Sequence, residues 1–239
     1  MTANKAKVFA AMVKNLKARK KPKPTRIRDL EKTRRDILDA AFMEVFTRGF
    51  QGVSVDDIVK KTTHTKGAFY HYFPTKLDLG YALVDEVIKP MIIDRWISPL
   101  DTLQDPLAGI LNQIKVLIDG AAPEELQLGC PLNNLVQEMA PIDAGFRDRL
   151  QVALLLWIDE TNRHLQRAKK AGFIRADVDT RSAAYFIVMA HEGFYGMLKG
   201  LRDPRAFEAL YESLDRFFQS ISATPVHEEP LGASHCCHS

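Results

Sequence analysis

The chain has 239 residues, of which 46% are hydrophobic, so it can bury one large core or two modest ones and is not wholly disordered. No apolar run approaches the ~18–20 residues of a membrane-spanning helix, and no secretory signal follows the basic start, so we expect no membrane partner. The formal net charge is +3, and the sparse, odd set of three cysteines indicates a reducing cytoplasm.

The first 28 residues are strongly basic. They contain ten Lys and Arg residues and no Asp or Glu, and the last two of these cations are Arg26 and Arg28. Residues 20–24, Lys-Lys-Pro-Lys-Pro, form a linker pattern because close prolines and like charges oppose a helix. We predict that residues 1–28 are a flexible arm that contacts DNA phosphates. The alternative is a solubilising disordered tail.

A helix-turn-helix pattern follows this arm, and we place its domain at residues 29–77. Apolar residues on one stripe predict a first helix over residues 29–48. Ser54 begins the next helix with a pattern close to a capping box. A turn at residues 62–65 then leads into a second short helix, which Pro74 limits.

The second short helix carries polar, small and basic residues that suit the major groove of DNA better than a core. Hydrogen-bonding groups can reach base edges and phosphates there, and small residues let the backbone approach closely. The residues expected on this flank are Thr65, Lys66, Gly67, Tyr70 and His71. Phe69 and Phe73 are expected to pack inward. The alternative is that all of these are ordinary residues of a small helical bundle.

The remaining chain predicts an all-α body at residues 78–222 and a disordered tail at residues 223–239. Apolar residues three and four positions apart indicate helices, and no convincing strand alternation is present. The predicted helices span residues 76–93, 106–120, 132–139, 143–171, 179–200 and 204–221. The tail ends His-Cys-Cys-His at residues 235–238, which fits no structural zinc spacing, so we predict no metal and no other cofactor.

Four short segments occur in a fixed order in the first third of the chain. They are Phe46-Thr47-Arg48-Gly49-Phe50, Val53-Ser54-Val55-Asp56-Asp57-Ile58, Lys66-Gly67-Ala68-Phe69-Tyr70-His71-Tyr72-Phe73 and Lys76-Leu77. Together they resemble the helix-turn-helix domain of the TetR family of transcriptional regulators. The resemblance implies a homodimer that binds a palindromic operator in double-stranded DNA and releases it when a small-molecule effector occupies the C-terminal domain. It implies DNA contacts from Thr65, Lys66, Tyr70, His71 and Lys76, with Thr33 near the backbone, and we add Ser54 and Tyr72 to the predicted DNA-binding set.

The turn between the two short helices departs from that family's pattern. An Ala-Gly pair and an apolar residue are usual there, whereas this chain has Thr62-Thr63-His64. Thr63 is β-branched at the place where glycine readily supplies a positive φ. We therefore expect a reshaped turn, with His64 directed to DNA or solvent.

Polar residues within the apolar helices of the body are candidates for an effector site. The segment Gly129-Cys130-Pro131-Leu132-Asn133-Asn134-Leu135, with Glu138, is similar to one in a TetR subgroup that includes sensors of electrophiles and unsaturated acids. Cys130 is a reactive thiol if a helix N-terminus lowers its pKa, and otherwise a small buried residue. The predicted ligand-binding set is Cys130, Asn133, Asn134, Gln137, Trp157, His191, Glu192 and Tyr195. The alternative is that these groups pair with one another in the core or across a dimer.

The last two helices are the candidates for a dimer interface, built as a four-helix bundle. Glycines within the helix at residues 179–200 cost stability, which indicates a need for close packing. We predict that the apolar face of both helices is exposed in a monomer and buried in the dimer. The predicted interface residues are Gly193, Leu198, Phe207, Leu210, Leu214 and Phe217.

These patterns predict an all-α fold, with an N-terminal three-helix helix-turn-helix domain and a C-terminal helical ligand-binding and dimerisation domain. The predicted function is ligand-responsive DNA binding, as a repressor, with the helix at residues 76–93 carrying the change between two states. The alternative is a non-specific nucleic-acid-binding or architectural protein driven by the basic arm. No nucleophile–base constellation, phosphate-binding glycine loop or metal triad is present at motif spacing, so no catalytic residue is predicted.

Overall fold

The computed structural model describes residues 25–103, 105–120, 127–201, 203 and 205–223, and these residues form helices and no strand. The helices are α1 (Thr25–Arg48), α2 (Val55–Val59), α3 (Lys66–Tyr72), α4 (Lys76–Leu83), α5 (Lys89–Ile92), α6 (Pro106–Gly120), α7 (Pro131–Met139), α8 (Ala144–Lys170), α9 (Thr180–Leu201) and α10 (Arg205–Ile221). The all-α prediction is confirmed, and α6–α10 match the predicted helices to within one residue at each end. Across the described ranges, none of these helices is both long and apolar enough to cross a membrane.

The chain differs from prediction at both borders of the folded region. Helix α1 begins at Thr25, four residues before its predicted start, so Arg26 and Arg28 belong to its first turn. Ala223 was assigned to the tail, but its N–H donates to the carbonyl of Phe173 at 2.9 Å. The predictions of a flexible arm at residues 1–24 and of a disordered tail at residues 224–239 concern residues outside the described part of the chain.

Helices α1, α2 and α3 form what we call the N-terminal unit. Its centre contains Ile37 and Ala41 from α1, Ile58 from α2 and Phe69 from α3, each with no exposed surface. Ser54 caps α2 through a capping box, in which its hydroxyl accepts the N–H of Asp57. The short helices therefore gain their stability from caps and shared burial, since helices of this length are marginal alone.

Helix α4 leads from the N-terminal unit into the body, which we define as α4–α10. The predicted helix at residues 76–93 continues to Leu100 and contains two π-helical segments, Val84–Ile88 and Ile93–Ile97. Pro90 lies two residues after the end of the first segment, and Pro99 lies two residues after the end of the second. Proline lacks the N–H that an α-helix needs and crowds the preceding turn, so the wider π turn relieves the conflict.

A glycine lets the N-terminal unit and the body pack closely. Gly80 of α4 lies between the rings of Phe50 and Phe146, whose centroids are 4.9 Å apart in an edge-to-face contact. A Cβ at this position would lie 2.4 Å from the Phe146 ring and 2.6 Å from the Phe50 ring. Because Phe146 is fully buried and Phe50 nearly so, neither ring can move aside cheaply.

Replacing Gly80 by alanine should therefore destabilise the protein, although alanine favours a helix. We expect the free energy of unfolding to fall by about 1–3 kcal/mol, the usual cost of overpacking a core, as measured by urea unfolding. Gly67→Ala is the matched control, because a Cβ there meets only the Thr65 hydroxyl at 3.6 Å. The control should keep or raise stability, and an equally stable Gly80→Ala protein would refute the steric argument.

Candidate functional site

Helix α3 presents a polar face to solvent over a buried aromatic base. Thr65 caps its N-terminus, where its hydroxyl accepts the N–H of Ala68 at 3.2 Å. Phe69 and Phe73 are buried, which confirms their predicted inward packing. The structure places five predicted DNA-binding residues together on the exposed face: Thr65, Lys66, Gly67, Tyr70 and His71.

Lys66 and Tyr70 are the most prominent groups on this face. Lys66 Nζ lies 2.7 Å from a carboxylate oxygen of Asp56, and this hydrogen bond raises the pKa of the lysine. The Tyr70 side chain is 50% exposed and rests edge-to-face on Phe69. The helix thus displays a cation paired with an exposed carboxylate and a phenol that rests on a buried ring, and both groups suit contact with phosphates and base edges.

The other predicted DNA-binding residues are more enclosed. The Lys76 ammonium lies 4.6 Å from the centre of the Phe50 ring, and burial lowers its pKa. Tyr72 is half-buried against the core, and Thr33 is half-buried on α1. The Ser54 hydroxyl donates to Asp57 at 2.7 Å and is used for capping.

The turn before α3 is closed by its own side chains. The Thr62 hydroxyl donates to the carbonyl of Val59 at 2.9 Å and accepts the N–H of His64 at 3.1 Å. His64 Nε2 lies 3.2 Å from a carboxylate oxygen of Asp36, and its side chain is only 19% exposed. The expectation that His64 faces DNA or solvent was therefore wrong, because Asp36 on α1 offers a nearer charged partner.

A second site lies in the body, where His191 packs among three aromatic rings beside a cavity. His191 of α9 contacts Trp96 at 4.5 Å, Trp157 at 4.8 Å and Tyr195 at 4.7 Å between ring centroids. The empty space beside them, including its mouth to solvent, amounts to about 200 Å³. The side chains lining it are Trp96, Ile114, His191, Phe194, Tyr195, Phe207 and Leu210.

Polar groups of the predicted ligand-binding set adjoin this cavity. His191 Nδ1 lies 3.1 Å from Glu192 Oε1, and the Asn133 amide donates to the backbone carbonyl of Glu192. Burial raises the pKa of Tyr195 to about 12. Burial, reinforced by Glu192, raises the pKa of Cys130 well above its usual value. The thiol is therefore protonated at neutral pH, which removes the condition on which a reactive Cys130 depended.

Two members of that set lie elsewhere. Gln137 is exposed on α7. The Asn134 amide donates to the carbonyl of Leu128 at 2.9 Å, and its oxygen accepts from Lys199. Asn134 also borders a different cleft, between α1 and α7, which Glu138 lines as well. Neither Gln137 nor Asn134 lines the aromatic cavity, because Gln137 faces solvent and Asn134 is held by Leu128 and by Lys199 of α9.

The predicted exposure of the last two helices in a single chain is wrong for part of the predicted dimer face. Leu198, Phe207 and Leu214 are buried within the single chain, since α10 packs its apolar face on α6 and α9. Leu210 and Phe217 are half-buried, and Gly193 is exposed as predicted. A different stripe on α9 is open to solvent: Phe186, Met189, Gly193, Met197, Gly200 and Leu201. These residues recur every three or four positions and so share one face.

Two polar contacts, neither of them predicted, join the N-terminal unit to the body. Arg34 of α1 donates two hydrogen bonds to the Glu86 carboxylate, one of them 2.7 Å long. Glu138 of α7 accepts the backbone N–H groups of Phe50 at 2.8 Å and Gln51 at 2.7 Å. For the Glu138 contact, the signal in the sequence was a charged residue within a mostly apolar helix. No feature of the sequence indicated the contact between Arg34 and Glu86.

Comparisons with known proteins match both parts of the chain. Residues 37–83 match the family described as bacterial regulatory proteins, tetR family, and residues 106–214 match the tetracyclin repressor-like C-terminal domain. The transcriptional regulator AcuR of Cereibacter sphaeroides is 29% identical over 69% of this chain and 75% of its own. The transcriptional repressor DhaR of a Mycobacterium species is 24% identical over 79% of this chain and 89% of its own.

Solved structures show the same architecture. A regulatory protein TetR from Rhodobacter sphaeroides has a TM-score of 0.67 and 27% identity, covering 77% of this chain and 97% of its own. A TetR transcriptional regulator from Chloroflexus aurantiacus has a TM-score of 0.72 and 22% identity, covering 82% of this chain and all of its own. At 22% identity, the likeness to this second protein shows a shared fold only.

Proposed function

This chain belongs to the TetR family of DNA-binding transcriptional regulators, which are not enzymes, and from that premise we propose that it is a ligand-responsive repressor. It acts in the cytoplasm as a homodimer on a palindromic operator, and a small molecule in the aromatic cavity releases it. The observation that carries this proposal is the polar face of α3 above Phe69 and Phe73. The name of the repressor DhaR supports the direction of regulation.

Dimerisation is supported by the open stripe on α9. Met189 and Met197 are 60% and 62% exposed, and a Cβ on Gly193 or Gly200 would meet nothing within 4 Å. Large exposed apolar side chains between glycines favour a second helix at close approach. A second copy related by a two-fold axis covers this stripe and places two α3 helices on successive major grooves.

The switch is a change in the spacing of those two α3 helices. Trp96 lines the cavity and belongs to the same helical run that begins with α4 beneath the N-terminal unit. The Glu86 and Glu138 contacts make the N-terminal unit follow movements of the body. The effector binds more tightly to the dimer whose α3 helices are wrongly spaced for the operator. It therefore lowers operator affinity by as much as its own affinities for the two conformations differ.

Operator binding by α3 variants tests this proposal. Fluorescence anisotropy would follow the purified dimer on DNA from the region upstream of its own gene, at several salt concentrations and against random competitor DNA. We expect Lys66→Ala to reduce the slope of log affinity against log salt concentration by about one, which corresponds to the loss of one phosphate contact. We expect Tyr70→Ala to weaken operator binding by about 1–3 kcal/mol.

Lys170→Ala is the matched control for charge. Lys170 ends α8, whose 27 residues span about 40 Å from the end that contacts the N-terminal unit. Its removal should leave operator affinity unchanged. A dimer that binds no upstream site at low salt, or binds random DNA as tightly as any upstream site, would contradict the proposal; the second result would favour an architectural role.

A further inference from the structure

The cation at the start of α3 is held by a carboxylate of α2. Lys66 Nζ lies 2.7 Å from Asp56 Oδ1, and the two side chains are 56% and 51% exposed. The pair therefore lies at the polar surface of α3 and not in the core beneath it. In the free protein, the cation that the proposed function directs at a phosphate already has a counter-ion.

Asp56 differs in its contacts from the carboxylates around it. Asp57, the next residue, closes the capping box of α2, and Asp36 lies 3.2 Å from His64 and so holds the turn before α3. Among the residues that the structure describes, Lys66 is the only side chain that pairs with Asp56. A carboxylate in the first turn also favours the N-terminus of α2, but that effect requires no contact with Lys66.

The N-terminal unit has little positive charge that is free of such pairs. Residues 25–73 contain nine Lys and Arg residues and seven Asp and Glu residues. Near the same surface, Arg48 lies 3.2 Å and Lys61 lies 3.6 Å from the carboxylate of Glu44. DNA affinity and its salt dependence both grow with the number of phosphates that a protein neutralises, so each internal pair lowers both.

We propose that Asp56 competes with DNA phosphate for Lys66 and thereby limits the affinity of α3 for any DNA. To contact a phosphate, the Lys66 ammonium must leave Asp56, which its long flexible stem allows. Binding then loses the ion pair and brings an unpaired carboxylate close to phosphates that repel it. The inference rests on the proposed function, because it concerns the face through which α3 meets DNA.

The competition has a consequence for the search along DNA. Binding to random sequence depends almost wholly on phosphate contacts, whereas base contacts add to binding at the operator. A helix whose cation is already paired therefore holds random DNA weakly, and its base contacts carry a larger share of operator binding.

Asp56→Asn tests the competition because it keeps the shape of the side chain and removes its charge. Fluorescence anisotropy would follow the full-length protein on operator DNA and on random DNA of equal length, over a series of salt concentrations. We expect the affinity for both DNAs to rise roughly 2- to 5-fold per half-site at low salt, the range of an exposed ion pair. The slope of log affinity against log salt concentration should steepen, and the gain should shrink as salt screens the charges.

A second substitution separates competition from simple repulsion. In a Lys66→Ala background, Asp56→Asn should gain less, because no lysine is released and only the repulsion between carboxylate and phosphate is removed. Asp177→Asn is the matched control for net charge. Asp177 pairs with Arg175 at 3.0 Å on the surface of the body, beyond the end of α8 that is remote from the N-terminal unit. Its substitution should leave DNA affinity unchanged.

Thermal unfolding of the same variants excludes a gain through added stability. Asp56→Asn should melt at or slightly below the temperature of the wild type, because α2 loses a carboxylate from its first turn. A variant that melts lower and yet binds DNA more tightly gains affinity at the binding surface itself.

Three results would overturn the inference: Asp56→Asn binds DNA no more tightly than the wild type, its gain is equal with and without Lys66, or its operator affinity falls. The third result would show that Asp56 contacts a base or positions α3. The two proposals fail separately. A protein that binds an upstream site but gains nothing from Asp56→Asn refutes this inference alone. A protein that binds no upstream site, while Asp56→Asn still tightens its binding to random DNA, refutes the proposed function alone.

Discussion

Replacing Met189 and Met197 together by glutamate should make the protein monomeric and abolish measurable operator binding. Both side chains are more than half exposed on the α9 stripe, on either side of Gly193. In the proposed dimer, each glutamate would be buried against its symmetry mate, where like charges repel and lose water. A dimer that binds both half-sites has roughly 10²–10⁴-fold higher affinity than a monomer that binds one half-site, and the monomeric variant loses this gain.

Light scattering after size exclusion and anisotropy on operator DNA would measure the two effects. Val152→Glu is the control, because Val152 is an equally exposed apolar residue on α8, outside the stripe. It should leave both the dimer and operator binding intact. A dimeric Met189→Glu/Met197→Glu protein would show that another surface joins the two copies. Circular dichroism would confirm that the variant is still helical.

Replacing Glu138 by alanine should loosen the N-terminal unit from the body. Its carboxylate accepts the N–H groups of Phe50 and Gln51, both within 2.8 Å. Hydrogen bonds to a charged acceptor are stronger than neutral ones, and truncation leaves two donors without their partner. We expect the free energy of unfolding to fall by roughly 2–4 kcal/mol, which is a large part of a typical total of about 5–15 kcal/mol.

Amide hydrogen exchange would locate the effect. Protection should fall first at Phe50 and Gln51, ahead of global unfolding. Gln137→Ala is the matched control, because Gln137 is the neighbouring exposed residue on the same helix. It should change neither stability nor exchange. If Glu138→Ala exchanges at the wild-type rate at both amides, the carboxylate is not what holds this turn.

The helices were predictable because each is encoded locally by apolar spacing and by a glycine or proline at its border. The two π-helical segments were missed, although Pro90 and Pro99 were visible in the sequence. A proline within a helical pattern can end a helix, kink it or widen one turn, and the packing around it decides which. Here the core residues Val87, Ile88 and Trp96 hold the run in place on both sides.

The dimer face shows a different limit. Phe207 and Leu214 follow the apolar period of α10 as clearly as any interface residue would, yet α6 and α9 of the same chain cover them. Apolar periodicity identifies a helix face that must be buried, but it does not show whether the same chain or a second copy buries it. The open stripe on α9 was less visible, since Gly193 and Gly200 contribute little to an apolar pattern.

The proposed ligand site was half predictable for a related reason. His191, Glu192 and Tyr195 share one helix, so their grouping follows from local spacing. Trp96 lies some hundred residues earlier and reaches the same cavity only because it packs against Trp157 of α8 and His191 of α9. The same holds for Glu138, whose partners are backbone groups that no side-chain pattern reveals.

The contact at Glu138 limits how freely this protein could be rebuilt from interchangeable parts. Gly49 ends α1 with a φ of 80°, and a Cβ there would come within 3.0 Å of the Glu138 carboxylate. The turn belongs to one half of the chain and the carboxylate to the other. A chimera that joins this DNA-binding half to a foreign C-terminal domain thus needs a carboxylate at the equivalent place. The transferable module is the N-terminal unit together with one glutamate from α7.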